Sequence, residues 1–410
     1  MNQANAYRIY LFSQFAAAFC TRLVFPVSLV YQAQAAQLNP LQLVLVGTTL
    51  EVTAFLFQIP TGIIADVYSR RLSVVLGYLL IGLGLGLVGV FPLFSTILLA
   101  QVISGIGYTM VDGALEAWVA DELGEQNAGS AYLRAAQLGN LGALAGLVIS
   151  AVLASWMLNL PILLGGAMLV LLSGFLALRM PENGFTPTPR ENRNSWQQMG
   201  HTFKQGILLA RGKPVVITIL AIAVIQGAFS EGFDRLWTPH LLNNITLPPL
   251  GPFQPVVWFN LISAMGTVLA LGATEVIRRR VDTNRHAAVA RALLTVTTGL
   301  LVAMLAFALT SNLTVAVIAL LAINMTRSAA SPLSTAWLNQ SLAPQVRATL
   351  FSVWAQMDAL GQIIGGPLLG ALATGVSLPA ALALAGLLLL PVLALYAWTL
   401  RGGETLIVDG

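Results

Sequence analysis

From residue 7 onward the chain is a succession of apolar stretches of similar length, each closed by proline, glycine, asparagine or a cluster of charge. They fall at residues 7–31, 41–62, 71–91, 94–119, 131–156 and 160–179. After a polar gap they resume at 214–239, 253–277, 287–310, 313–338, 350–375 and 379–400. A bilayer crossing takes ~20 apolar residues, and a backbone in hydrocarbon must satisfy its own hydrogen bonds, as a helix of that length does. The pattern therefore predicts an all-α membrane protein of twelve transmembrane helices with short connections. Only 180–213 is long. It opens with Pro181, Pro187 and Pro189, and then Trp196, Met199, Phe203 and Ile207 recur at helical spacing, with Gln197, His201, Lys204 and Arg211 elsewhere around the axis. This predicts an interfacial amphipathic helix joining two halves, a partly ordered tether being the alternative. The expected organisation is a six-helix bundle over 1–179, a linker over 180–213 and a second six-helix bundle over 214–410.

Composition excludes several classes. The chain of 410 residues is 57% hydrophobic and 9% charged, against roughly 25% charged in a soluble protein, so a water-soluble globule is excluded and no sizeable extramembrane domain fits. Cys20 is the single cysteine, which leaves no disulfide framework and no cysteine-based metal site. The net charge of +4 is not gathered into a basic block with interleaved aromatics, which argues against a nucleic-acid partner. The first span lacks a small-residue cleavage site and reads as a retained helix rather than a signal peptide. There is no GxxxxGK[ST] loop, no HExxH and no GxSxG, so neither a nucleotide cofactor nor a hydrolytic enzyme is indicated, and no cofactor or metal is expected.

Apart from Arg22, Arg235 and Arg327, which fall inside spans, the cations lie in the even-to-odd connections, the abutting helix ends and the terminal segments. The opposite connections, beginning with QAQAAQLN after the first span, carry none. The positive-inside rule then places both termini in the cytoplasm. The halves also echo each other. Arg22-Leu23-Val24-Phe25-Pro26 in the first span recurs as Arg235-Leu236-Trp237-Thr238-Pro239 in the seventh, 213 residues on. Ala117-Trp118 recurs as Ala336-Trp337, 219 residues on. Duplicated bundles of this kind are a transporter pattern, with substrate handled near the midplane.

Between the second and third spans the chain reads Gly62-Ile63-Ile64-Ala65-Asp66-Val67-Tyr68-Ser69-Arg70-Arg71. This resembles the signature loop of the major facilitator superfamily. Val67 stands where the family usually has a basic residue, and Ser69 where it often has glycine. Gly62 would allow close helix approach, Asp66 would cap a helix or meet an arginine, and Arg70 and Arg71 would hold the cytoplasmic gate closed. Gly272-Ala273-Thr274-Glu275 followed by Arg278, Arg279 and Arg280 is similar to a degraded second copy. Within the superfamily the chain resembles the twelve-helix drug and metabolite efflux branch. Gln101 replaces the arginine that the branch links to proton coupling, and the fifth span has Gly139, Gly142 and Gly146 without the expected proline. The resemblance implies proton-coupled export of amphipathic small organic molecules by alternating access. A facilitator or importer of a metabolite is the alternative that Gln101 and the missing proline favour.

Ionised groups inside a span are costly and mark candidate sites. Comparable depth predicts pairing of Arg22 with Glu51 and of Arg327 with Asp358. Glu231 and Arg235 share a helical face four residues apart, with Asp234 turned toward a neighbouring helix. Asp112 and Glu116, read as one turn apart on the fourth span, are the first candidates for proton exchange by mutual repulsion. Glu116 paired with Arg134 or Arg70 is the alternative. The proton-coupling candidates are thus Asp112, Glu116, Glu51, Glu231, Asp234 and Asp358. Gln14, Gln101, Tyr108, Gln226, Asn260, Asn324 and Gln356 are the polar mid-span residues expected to line a cavity. Tyr31, Trp118, Trp156, Trp237, Trp258, Trp337 and Trp398 are read mainly as interfacial belts, and His201, His240 and His286 as solvated. The expected partners are a small-molecule substrate, protons and the lipid bilayer, for a monomer in a bacterial inner membrane.

Overall fold

A computed structural model describes residues 3–187, 214–249, 256–341 and 344–401. The amphipathic segment expected at 196–211 lies outside the described residues. Among the described residues the chain is helical throughout. The helices are α1 (Gln3–Gln34), α2 (Pro40–Ile63), α3 (Arg70–Val90), α4 (Phe94–Val111), α5 (Ala114–Leu123), α6 (Glu125–Trp156), α7 (Leu160–Arg179), α8 (Pro214–Asn244), α9 (Val256–Arg280), α10 (His286–Leu309), α11 (Leu313–Ser341), α12 (Pro344–Gly375), α13 (Leu378–Leu387) and α14 (Leu389–Arg401). Eleven helical segments are long and apolar enough to cross a membrane, with α4–α5 and α13–α14 each counted once. The remaining predicted crossing is α12, a helix of 32 residues into which Arg347, Gln356, Asp358 and Gln362 bring polar groups.

Helix ends follow local chemistry. The Ser69 side chain caps α3 by accepting from the Leu72 amide at 2.8 Å, and Ser377 caps α13 through Ala380 at 3.2 Å, satisfying amides that would otherwise lack partners. The expected fourth span is two helices. Asp112 leaves helical geometry with ψ 122°, and Gly113 follows at φ +73°, a left-handed conformation that glycine adopts without steric cost. Asp112 and Glu116 therefore do not share a helical face. Asp112 ends α4, and Glu116 sits in the first turn of α5, where a carboxylate is favoured by the exposed amides; both are exposed.

Of the described residues, 3–38, 49–187, 249 and 256–260 form one compact unit, and 39–48, 214–248, 261–341 and 344–401 a second. In the first, Tyr10, Tyr78, Trp118 and Leu169 belong to the buried core; in the second, Val216, Leu293, Trp337 and Tyr396. Each unit is closed by the same glycine device. On α6, a Cβ at Gly142 or Gly146 would overlap the Phe15 or Phe19 carbonyl of α1. On α12, a Cβ at Gly361 would overlap the Val224 carbonyl of α8, and one at Gly365 the Ala228 side chain. The pairs 142/146 and 361/365 stand 219 residues apart, the offset of the Ala-Trp repeat. Small residues here let helix backbones touch, which is how helices associate where lipid removes the hydrophobic drive.

Several aromatics read as interfacial are core residues instead. Tyr31, Trp118 and Trp337 are 4%, 1% and 2% exposed. Trp118 donates its indole N–H to the Pro181 carbonyl at 2.5 Å, and Trp337 meets Tyr396 edge-on at 5.5 Å between ring centroids. Trp156 and Trp398 are exposed, as a belt requires. His240 is fully buried rather than solvated, with Nε2 3.1 Å from the Phe307 carbonyl and its ring against Phe307. Being near a span end does not fix the rotation of the helix, and rotation decides between belt and core.

Candidate functional site

Inside the second unit, α8, α10, α11, α12 and α14 enclose a cavity of about 300 Å³. Its charged members are Arg327 of α11 and Asp358 of α12. Gln226, Ser230, Thr297, Ser331, Ser334 and Thr335 supply polar groups, and Phe229, Phe351 and Trp354 aromatic faces. Helical spacing explains the assembly: 327, 331, 334 and 338 lie on one face of α11, and 351, 354 and 358 on one face of α12. Of the residues expected to line a cavity, Gln226 does so. Asn324 is exposed, with its amide donating to the Leu320 carbonyl at 2.9 Å, and Gln356 is half-buried on α12. The serines, threonines and aromatics of the wall were missed, although their spacing from Arg327 and Asp358 is visible in the sequence.

The Arg327 partner also differs from expectation. Its two terminal nitrogens donate to both oxygens of Asp234 on α8, at 2.5 and 2.9 Å, the bidentate fork that suits a guanidinium best. The Phe229 and Phe233 rings lie 5.9 and 5.5 Å from its central carbon. Cation–π attraction and the fork thus draw Arg327 toward α8 rather than toward Asp358. Asp358 instead accepts from Gln362 at 2.9 Å, while remaining within electrostatic reach of Arg327.

Glu231 and Arg235 pair at 3.0 Å across one turn of α8, as their spacing predicts, with side chains 4% and 17% exposed. The pair needs neighbours without side chains. A Cβ at Gly47 would overlap the Glu231 carboxylate and the Arg235 guanidinium, and one at Gly366 would come 2.7 Å from Glu231 Cγ.

The signature loop of the first unit works differently from the expectation. Asp66 is exposed in a π-helical turn, Ile64–Tyr68, and the capping role belongs to Ser69. Gly62 has open space around it rather than a close helix approach. Arg70 pairs with Asp121 of α5 at 2.5 Å, and Arg71 donates to the Ala177 carbonyl of α7 at 2.5 Å. The segment after α7 is bound down on the same end. Glu182 accepts from Ser69 Oγ at 2.6 Å and from the Arg71 amide at 3.0 Å. Glu122 accepts from the amides of Asn183 and Gly184. The beginning of the expected linker is thus tied to α3 and α5. Replacing Trp118 by phenylalanine keeps the ring but leaves the Pro181 carbonyl without its donor, and should cost about 1–3 kcal/mol. Thermal unfolding of the purified protein in detergent measures this; an unchanged midpoint would contradict it.

The remaining candidates of the first unit are dispersed. The Gln14 side chain donates to Tyr10 Oη and to Glu116, each at 3.3 Å, so Glu116 meets Gln14, and of the two arginines offered for it, Arg134 and Arg70, Arg70 is held by Asp121. Gln101 is half-buried on α4, and Tyr108 is exposed. Arg22 is exposed on α1 and Glu51 half-buried on α2. Asn260 is 3% exposed, and its amide donates weakly to the Val256 carbonyl at 3.4 Å.

The Major Facilitator Superfamily model matches residues 10–323. An uncharacterised MFS-type transporter of Bacillus subtilis, YxaM, is 22% identical over 360 residues, covering 87% of this chain and 86% of the relative. Among solved structures, the nucleoside transporter NupG superposes with a TM-score of 0.74 at 13% identity, over 98% of this chain and 99% of that one. A bacterial homologue of the human lysosomal transporter Spinster, inward-facing and occupied, gives 0.74 at 14% identity over 100% and 99%. A peptide transporter POT gives 0.73 at 17% over 98% and 96%. With a family model spanning most of its length and multiple membrane-crossing helices around a polar interior, the chain belongs to the Major Facilitator Superfamily, as an integral multi-pass membrane protein.

Proposed function

We propose that the protein is a proton-coupled exporter of amphipathic small organic molecules, working by alternating access of two six-helix halves, 1–179 and 214–410. In this reading it is a monomer in a bacterial plasma membrane with both termini cytoplasmic. The observation that carries the reading is the α8–α12 cavity, lined by the Arg327 guanidinium and the Asp358 carboxylate among aromatic and hydroxyl groups inside apolar helices, with Asp234 holding Arg327 from α8. Charge in such a place is expensive, and its retention beside a cavity points to a site used by a transported species. The similar nucleoside, Spinster and peptide transporters support a small solute as cargo, and the B. subtilis relative supports a bacterial plasma membrane. Confinement of the cations to one set of connections supports the orientation.

The acids assigned to the proton are Glu231, Asp234 and Asp358, because each is held beside an arginine or a cavity wall, where gain of a proton alters an existing contact. Asp112 and Glu116 lose this role, since the break at Gly113 removes their shared face. Reconstituted protein with an imposed pH gradient tests the reading. Substrate accumulation should follow the gradient and collapse with a protonophore. Glu231→Gln, which removes the charge while keeping the shape, should uncouple flux from the gradient. Flux indifferent to the gradient and to neutralisation of each acid would remove proton coupling.

A further inference from the structure

The charge count of the cavity is uneven. Arg327 is occupied on both terminal nitrogens by Asp234, and Asp358 forms no ion pair within 4 Å among the described residues, where its one direct side-chain partner is the neutral Gln362 amide. With Asp234, which does not line the cavity, neutralising Arg327, the Asp358 carboxylate is left as the unmatched charge of the lining. A carboxylate in a poorly hydrated interior is costly until an opposite charge meets it. What surrounds Asp358 suits such a charge. Trp354 lies one turn before it and Phe351 two turns before it on the same face of α12, and both rings line the cavity. Aromatic faces attract cations, Trp most strongly. In the same lining, Ser331, Ser334 and Thr335 of α11 offer hydroxyl oxygens that accept from N–H groups. Leu300, Leu338 and Leu389 form the apolar part of the wall.

We propose that the cavity selects organic cations: a single ammonium group paired with Asp358 and covered by Trp354 and Phe351, on a compact apolar or aromatic body. An anion is disfavoured, because Arg327 is already engaged and the excess charge is negative. A neutral body gains the aromatic contact alone. The proposal rests on the reading of this cavity as the substrate site and adds the sign of the substrate charge.

Binding of radiolabelled N,N-dimethylbenzylamine, protonated at neutral pH, to the full-length protein in detergent tests it, with N,N-dimethylbenzamide and benzoate as neutral and anionic competitors of similar size. The cation should bind saturably, and the two competitors should displace it at least about tenfold more weakly than unlabelled cation does. Asp358→Asn, of equal shape, should weaken cation binding by about tenfold or more, and Asp358→Glu should restore most of it. The competition series on the unaltered protein decides the charge preference even if a variant folds poorly. Equal displacement by the amide, stronger displacement by benzoate, or undiminished binding in folded Asp358→Asn overturns the cation proposal and leaves the transport reading intact. Failure of all three probes to bind overturns the proposal together with the assignment of the cavity as the substrate site.

Discussion

Arg327→Met should reduce substrate flux by at least about 100-fold while leaving the protein folded. The loss follows from charge. Without the guanidinium, Asp234 loses its ion-pair partner and Asp358 the cation within its electrostatic reach, and the two carboxylates oppose any change of conformation that brings them closer. A 100-fold effect corresponds to roughly 3 kcal/mol, within the range found when one partner of an interior ion pair is removed. Stability should fall less, by about 1–2 kcal/mol, because the side chains of the pair are 32% and 41% exposed and water relieves part of the penalty. Arg327→Lys should lie between the two, since an ammonium keeps the charge but cannot form the two-pronged contact with Asp234. The double variant Arg327→Met, Asp234→Asn removes the orphaned charge and should recover stability relative to Arg327→Met alone without recovering flux. Proteoliposome flux and detergent melting curves separate these effects. Normal flux in Arg327→Met would show that the pair serves packing only.

The second large effect concerns glycine. Gly361→Val should abolish or severely reduce folded protein, with a loss of about 3 kcal/mol or more. A side chain there must overlap the Val224 carbonyl oxygen of α8, and a backbone atom in a regular helix cannot rotate aside as a side chain can, so α8 and α12 are forced apart along their length. Gly146→Val should act similarly through the Phe19 carbonyl of α1. Gly174→Val is the control: nothing lies within 4 Å of its Cβ position, and the protein should retain its melting temperature within the effect of helix propensity. The comparison is made by size-exclusion yield and thermal unfolding. Equal behaviour of the three variants would mean that the helices tolerate wider separation.

Much of the fold was legible in the sequence because the bilayer imposes one strong rule: a crossing is a helix of set length with few charges. The observed α7, Leu160–Arg179, coincides with the expected 160–179, and α3, Arg70–Val90, is displaced by one residue from 71–91. The pairing of Glu231 with Arg235 was legible for the same kind of reason, since both partners lie on one helix and their geometry is set by the helical repeat. The break at Gly113 was not. Asp112-Gly113 is a dipeptide that marks turns, but the apolar runs on either side together have the length of one crossing and masked it; the expected shared face of Asp112 and Glu116 failed with that break. Trp118 and His240 were misread because depth in the membrane is set by position along the helix, whereas burial is set by its rotation.

The sequence alone thus determined what depends on one segment at a time: the helical nature and approximate length of the spans, the one-sided distribution of cations, and the pairing of Glu231 with Arg235 within one helix. Tertiary structure alone decided what depends on two segments meeting. It chose Asp234 over Asp358 for Arg327, Ser69 over Asp66 as the cap of α3, and Asp121 as the partner of Arg70. The physical reason is that charge pairing falls away within a few ångströms and depends on side-chain direction. A small rotation of one helix against another exchanges one partner for the next while leaving every hydrophobic pattern unchanged.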